Sequence, residues 1–212
     1  MPAALGIVGL FVFGGRFSWI AGLLTGLCLG AWLAFREAPP GYIENWREGA
    51  EAERRTARAL RRLDALVVHD VQCRLGNYDH LLVAPSGVYM IETKDLKGEV
   101  TVDRGVISRR RRHDPADERV VTRIRERALG AAAELSAEIQ QRSGMRTWVQ
   151  AVVVFWCDFP QGVLEDERCV FISGEQLHDW MARRPCRLSG DDRVRIAAAV
   201  EELAAQRSTA AV

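Results

Sequence analysis

The sequence has few cysteines, and none stands in a pattern that binds metal. No two of them form a Cys-x-x-Cys pair, and the five are scattered along the chain: Cys28, Cys73, Cys157, Cys169 and Cys186. Isolated cysteines of this kind are typical of reduced thiols in a cytoplasmic protein. The pattern argues against a zinc site.

An excess of charge of either sign is also missing. The formal net charge of the 212 residues is +1, so composition alone does not indicate a nucleic-acid-binding protein. A claim for such a partner must depend on where the charges lie. The length is that of one domain of ordinary size with an appendage, and the apolar content is sufficient for a hydrophobic core.

Charged residues are nearly absent from the N-terminal part of the chain, where Arg16 is the only one between Ala3 and Phe35. The segment 17–35 has the roughly 20 mainly apolar residues that a membrane-spanning helix requires. We therefore predict that residues 1–37 form a membrane segment, with one helix at about 17–35 in contact with the lipid bilayer.

The flanking residues predict the orientation of this helix. Trp19 and Trp32 lie near its two ends, where indole rings favour the headgroup boundary. Arg36 begins a basic series that continues through Arg47 and Arg54, and basic residues mark the cytoplasmic side of a membrane helix. The prediction is a single-pass membrane protein with its C-terminal domain in the cytoplasm.

Alternatives at the N-terminus stay open. A second apolar stretch, 3–15, could form a hairpin with the longer helix. A cleaved signal peptide is the other alternative, but no basic region precedes the apolar run and no small-residue cleavage site follows it. Gly22, Gly26 and Gly30 share one stripe of the helix, which is either a homodimer face or the ordinary glycine content of a membrane helix.

Turn residues and hydrophobic periods predict the elements that follow. A linker is expected at 38–45, because Pro39, Pro40 and Gly41 break helices. The core at 46–160 is expected to contain a helix at 44–63, strands at 66–71, 78–84 and 88–93, a hairpin at 100–102 and 106–108, a helix at 118–141 and a buried strand at 148–156. A strand at 169–172 and helices at 174–183 and 190–206 complete a C-terminal part, 161–212. This order of helix, mixed sheet, helix and strand predicts an α/β domain.

The segment from Tyr78 to Lys94 contains two acids that a hairpin would bring together. Its turn, Ala84 to Gly87, has Pro at the second position and Gly at the fourth, as a type I turn favours. A hairpin that is symmetric about this turn pairs Asp79 directly with Glu92, and two like charges at such a position destabilise a sheet. Because the neighbouring positions are apolar, we expect a shared cation, for which Mg²⁺ or Mn²⁺ suits paired carboxylates. Lys94 follows Glu92 on the same face.

The first helix offers a third acid. Glu53 continues an apolar period that includes Trp46, Ala50 and Leu60, so we predict that it points inward and joins the site. A glutamate that snorkels to solvent or caps the helix is the structural alternative.

The chain resembles the NERD (nuclease-related) domain of the PD-(D/E)xK superfamily of restriction-endonuclease-like proteins in three segments, 49–53, 78–83 and 87–94. The resemblance covers 49–98 well and extends more loosely to Trp156. It implies a restriction-endonuclease-like core in which Asp79 is the metal-binding acid, Glu92 and Lys94 are the E-x-K pair, and Glu53 is the first-helix acid.

The resulting hypothesis is a metal-dependent nuclease. Glu53, Asp79, Glu92 and the carbonyl of Thr93 would hold one or two Mg²⁺ (or Mn²⁺) ions, and Lys94 would position the attacking water. A basic run in a loop after the strands would contact the phosphate backbone of nucleic acid, with DNA as the expected substrate: Arg109, Arg110, Arg111 and Arg112. A solvated loop or contact with anionic lipid is the alternative for this run.

Three functions remain open at this level. The first is a membrane-anchored nuclease, the second a non-catalytic nucleic-acid-binding module on the same fold, and the third a membrane-associated interaction protein. The fold alone does not decide between them. The presence of both acids and the lysine favours the nuclease.

Overall fold

The computed structural model describes residues 18–37, 40–74, 76–111 and 114–209. The chain divides into an N-terminal unit, 1–47, and a C-terminal unit, 48–212.

The N-terminal unit contains helix α1, Ser18–Glu37, which includes nearly all of the helix predicted at 17–35. Several large apolar side chains on it are exposed: Leu23, Leu24, Leu27, Trp32 and Leu33. Within the described ranges, no helix combines the length and hydropathy needed to cross a bilayer. The membrane crossing therefore stays a prediction, and the hairpin segment 3–15 lies outside the described residues.

Helix α2 spans Pro40–Leu60 and begins earlier than predicted. It overlaps the predicted linker, 38–45, from Pro40 onward, because proline is well tolerated at the first position of a helix. The buried face of α2 in the C-terminal unit consists of Ala52, Thr56 and Leu60, each four residues from the next.

Two sheets follow in the C-terminal unit. The strands are β1 (Leu66–Cys73), β2 (Gly76–Ala84), β3 (Gly87–Lys94), β4 (Glu99–Asp103), β5 (Val106–Arg111), β6 (Asp114–Val121), β7 (Val149–Phe155), β8 (Val163–Glu165) and β9 (Cys169–Ser173). The helices are α3 (Ile124–Ser143), α4 (Leu177–Ala182) and α5 (Gly190–Thr209). A six-stranded sheet has the order β1-β2-β3-β7-β9-β8, and β4, β5 and β6 form a second sheet.

The larger sheet is mixed, as predicted, and it is covered on both faces. β7 pairs in parallel with β3 and β9, and the remaining neighbours are antiparallel. Helices α3 and α5 pack on one face through residues such as Leu135 and Leu203, and α2 and α4 pack on the other through Leu60 and Leu177. The central strand predicted at 148–156 is confirmed as β7, Val149–Phe155, which is apolar on both faces because both faces are covered.

The predicted helix at 118–141 is wrong at its start. Residues 114–121 form strand β6, which pairs with β5, and the helix begins at Ile124. Arg123 precedes it in the left-handed conformation, with φ of 72°. Val120, predicted to face inward, is 59% exposed. It lies on the outer strand of the small sheet, which pairs with β5 on one side.

Candidate active site

The hairpin that carries the site has the predicted register. Leu81 pairs with Met90, and Val83 pairs with Val88, across the turn at Pro85 and Ser86. The turn ends in Gly87, whose φ of 141° suits glycine. This register places Asp79 and Glu92 at the same level of the hairpin, beside the ends of β2 and β3.

Asp79 is nevertheless not a regular ladder partner of Glu92. The ladder between β2 and β3 ends at His80 and Ile91. Beyond that pair, Oδ2 of Asp79 accepts a hydrogen bond from the backbone N–H of Thr93 at 2.7 Å. The carboxylate thus takes a main-chain donor of β3, which fixes its direction.

The alternation of β1 and β2 shifts by one residue at this level. Tyr78 and Leu81 belong to the same hydrophobic cluster although they are three residues apart, and so do Val68 and Val71 on β1. Asp70, which lies between the two valines, has a left-handed backbone with φ of 52°. The simple prediction that Asp79 shares the face of Leu81 therefore does not hold, because the period of two is interrupted.

Glu92 and Lys94 lie together at the end of β3, as predicted. Nζ of Lys94 is 2.6 Å from Oε1 of Glu92, and both side chains are largely shielded from solvent. Burial, and then the nearby charge of Glu92, raise the pKa of Asp79 to about 7, while Lys94 and the Thr93 N–H act in the opposite direction. The two acids therefore repel each other, and Lys94 relieves only part of this repulsion.

Glu53 differs from its prediction. Its side chain is exposed, because the buried stripe of α2 passes through Ala52 and Thr56 instead. Partial burial of its carboxyl group, and then the charge of Asp70, raise the pKa of Glu53, and Glu92 contributes to the same effect. Glu53 therefore lies at the rim of the site and not on the apolar face of the helix.

The oxygen donors at the site are of the kind that a divalent cation prefers, but the side chains that carry them do not converge on one position. Carboxylate and carbonyl oxygens are the donors that Mg²⁺ and Mn²⁺ prefer, and the anionic repulsion at Asp79 is of the kind that a cation relieves. In the described part of the chain, however, no three His, Cys, Asp or Glu side chains lie within reach of one ion. The expected convergence of Glu53, Asp79 and Glu92 is not present in this arrangement.

A hydrogen-bond network behind the site was not predicted. Thr56 Oγ1 accepts hydrogen bonds from Thr93 Oγ1 at 3.1 Å and from Trp156 Nε1 at 2.7 Å. It also donates to the carbonyl of Ala52 at 3.2 Å. Both threonines are buried, so this network joins α2 to the ends of β3 and β7.

The basic run also has a different setting. Arg109, Arg110 and Arg111 belong to strand β5 and not to a loop, while Arg112 lies outside the described residues. Arg110 lies 2.6 Å from Glu99, and Arg111 lies 3.4 Å from Asp117. Part of the positive charge of the run is therefore balanced by carboxylates of the same sheet.

A mixed sheet between helices, with two acids and a lysine at the ends of neighbouring strands, is consistent with a nuclease-like α/β domain. The family model described as the nuclease-related domain, NERD, matches residues 48–156, just over half of the chain. The chain therefore belongs to the NERD family. No curated protein and no solved structure matches it.

Proposed function

We propose that this protein is a Mg²⁺- or Mn²⁺-dependent nuclease that hydrolyses phosphodiesters of nucleic acid, with DNA as the expected substrate. Its domain would have the restriction-endonuclease-like fold of the PD-(D/E)xK superfamily. The observation that carries the proposal is the arrangement of Asp79, Glu92 and Lys94 within the segment that matches the NERD family. Two half-buried acids that repel each other destabilise a fold, which is reasonable where function requires them.

The proposed ligands of the metal are Asp79, Glu92, the Thr93 carbonyl and, from the rim, Glu53. The metal would activate a water molecule and neutralise charge on the scissile phosphate. Asp79 is oriented for this by the N–H of Thr93. Lys94 would hold its proton at Nζ and donate hydrogen bonds to the attacking water or to a phosphate oxygen.

The test is cleavage by the full-length chain, purified in a mild detergent, of labelled single-stranded DNA, duplex DNA and RNA. Asp79→Asn should lower the rate by about a hundredfold or more, as the loss of one catalytic group commonly does. Asp103→Asn is the matched control, because Asp103 is an exposed acid at the end of β4. Cleavage that Asp79→Asn leaves unchanged would contradict the mechanism. Calorimetric titration of Mn²⁺ into wild type and Glu92→Gln tests the site independently of the substrate.

A second candidate is a non-catalytic nucleic-acid-binding or membrane-associated interaction module. The ion pair of Glu92 with Lys94 and the hydrogen bond of Asp79 with Thr93 favour it, because both acids have protein partners. Binding of nucleic acid without cleavage in either metal would support this candidate against the first.

We propose further that α1 anchors the protein in a membrane, with the C-terminal domain in the cytoplasm. The apolar run at 17–35 and the exposed leucines of α1 support this. A homodimer through Gly22, Gly26 and Gly30 is part of the same proposal, since a Cβ added at any of them meets no atom within 4 Å. Resistance of the full-length chain to alkaline extraction from membranes, lost in Leu27→Arg, tests the anchor, and crosslinking of Gly26→Leu tests the dimer.

A further inference from the structure

One flank of α2 carries arginines that the proposed mechanism does not use. Arg55, Arg58 and Arg62 are three and four residues apart, so they share one side of the helix and its end. They line a groove together with Trp156, Gly174 and His178 and with one acid, Glu175. We refer to these three arginines as the arginine row.

The first member of the row is held by a specific stack. The guanidinium carbon of Arg55 lies 4.1 Å from the ring centroid of Trp156. The indole is fixed in turn by its hydrogen bond to Thr56, and it lies against Gly174, where an added Cβ would be 2.3 Å from the ring. A guanidinium that rests on an aromatic face keeps its N–H donors for bidentate contact with a phosphate.

The row differs from the basic run of β5 in its charge balance. Within the described ranges, neither Arg55 nor Arg62 has a carboxylate partner, and Arg58 pairs only with the exposed Glu51. The row spans residues 55–62, seven steps or roughly 10 Å at 1.5 Å per residue, and one strand of B-DNA carries a phosphate every 3.4 Å or so along the duplex axis. It therefore matches about three consecutive phosphates.

The row also adjoins the candidate active site. Thr56 bonds to Trp156 on one side and to Thr93 on the other, and the N–H of Thr93 holds Asp79. The stack and the acid are thus fixed by one network. The row is therefore linked to Asp79 through the Trp156 stack and three hydrogen bonds.

We propose that the arginine row binds the phosphate backbone of the nucleic-acid substrate without reading its bases. The proposal rests on the proposed nuclease function and names the surface that holds the substrate. The ordinary alternative is a solvated helix end whose cations offset the helix dipole. That alternative gives no role to the Trp156 stack.

The test is DNA binding by the full-length chain in EDTA, where metal-dependent cleavage does not interfere. Fluorescence anisotropy of a labelled DNA duplex is measured between 50 and 200 mM KCl, a range in which phosphate contacts have a strong effect, about a thousandfold or more for six contacts. The variant is Arg55→Gln, Arg58→Gln, Arg62→Gln. Loss of three phosphate contacts should reduce the slope of log K against log salt by about 2.7 and lower the affinity by about tenfold or more at low salt.

The matched control removes the same charge elsewhere, by Arg168→Gln, Arg183→Gln, Arg187→Gln, all at exposed positions. It should keep the slope of wild type. A row variant that binds like wild type, or a control that loses as much affinity, would overturn the proposal. The triple variant Arg109→Gln, Arg110→Gln, Arg111→Gln compares the basic run directly, and a larger loss there would also overturn it.

The same measurements separate this proposal from the proposed nuclease activity. A reduced slope in the row variant, with no cleavage by wild type in Mg²⁺ or Mn²⁺, would support the row and contradict the nuclease. Cleavage that depends on Asp79, with an unchanged slope in the row variant, would support the nuclease and contradict the row.

Discussion

Lys94 lies 2.6 Å from Glu92, two residues earlier on the same strand, so the ammonium group partly neutralises an acid that is proposed to bind a cation. A lysine in this position competes with a metal ion for the carboxylate. In the proposed mechanism it would also lie beside the reacting phosphate. Its removal should therefore affect binding and catalysis in opposite directions.

The first prediction concerns Lys94→Met. Hydrolysis should fall by about a hundred- to a thousandfold, as for other groups that stabilise charge in the transition state. The affinity for Mn²⁺, measured by calorimetry, should rise because Glu92 loses its competing cation. Lys97→Met is the control, since it removes the only other lysine of the chain. A fall in Mn²⁺ affinity would show that the ion pair does not compete with the metal.

The second prediction concerns Thr56. Thr56→Val leaves Trp156 Nε1 and Thr93 Oγ1 without their buried partner, which should cost about 1–3 kcal/mol in the free energy of unfolding. Thr56→Ser keeps the hydroxyl and should recover most of this loss. Denaturation in urea measures the stability, and the cleavage rate per folded molecule shows whether the network also positions Asp79. Equal behaviour of the two variants would exclude a role for the hydroxyl.

The third prediction compares two glycines. An added Cβ at Gly174 would lie 2.3 Å from the ring of Trp156. Gly174→Ala should therefore displace the indole and lower the free energy of unfolding by about 1–3 kcal/mol. An added Cβ at Gly130, in the middle of α3, meets no atom within 4 Å. Gly130→Ala should therefore stabilise the protein by up to about 1 kcal/mol. Thermal unfolding followed by tryptophan fluorescence should show shifts of opposite sign.

The fourth prediction is a dependence of stability on pH. Hydrogen bonds from Arg125, at 2.6 and 3.0 Å, hold the pKa of Asp166 below its ordinary value of 3.8. A lowered pKa in the folded state means that the stabilisation is fully present above pH 3.8 and is lost as the pH falls through the folded pKa. The free energy of unfolding of wild type should thus exceed that of Arg125→Gln by about 1 kcal/mol at pH 7, and the difference should disappear in acid.

The control for this pair is Arg127→Gln, which removes an exposed arginine from the same helix. Urea midpoints at several pH values between neutral and strongly acidic conditions measure the difference. A stability difference that stays constant down to strong acid would show that the ion pair is not its source.

Features that depend on neighbouring residues in the sequence can be predicted from it. The register of the β2–β3 hairpin follows from the residues of its turn, and the position of β7 follows from a run that is apolar on both faces. The place of Glu53 does not follow in this way, because a helical period that includes Trp46 and Ala50 points Glu53 inward, whereas Ala52 and Thr56 are the buried residues. A shift of one residue on a helix turns a side chain by about 100°, which is enough to move it from core to rim.

Other features carry no local signal. Thr56 and Trp156 are 100 residues apart in sequence, and their hydrogen bond exists only because α2 packs over the ends of β3 and β7. Strand β6 is rich in charged residues, as an exposed helix would be, and only its pairing with β5 makes it a strand. Both the hydrogen bond and the strand therefore depend on tertiary contacts.

The interrupted alternation at Asp70 and Asp79 has a consequence for divergence among related chains. A strand that straightened here would gain a regular ladder and turn Asp79 away from the N–H of Thr93. Improved sheet geometry and an oriented acid are thus mutually exclusive at this position. We expect relatives without the proposed chemistry to have a regular strand here, and relatives with it to carry the same irregularity.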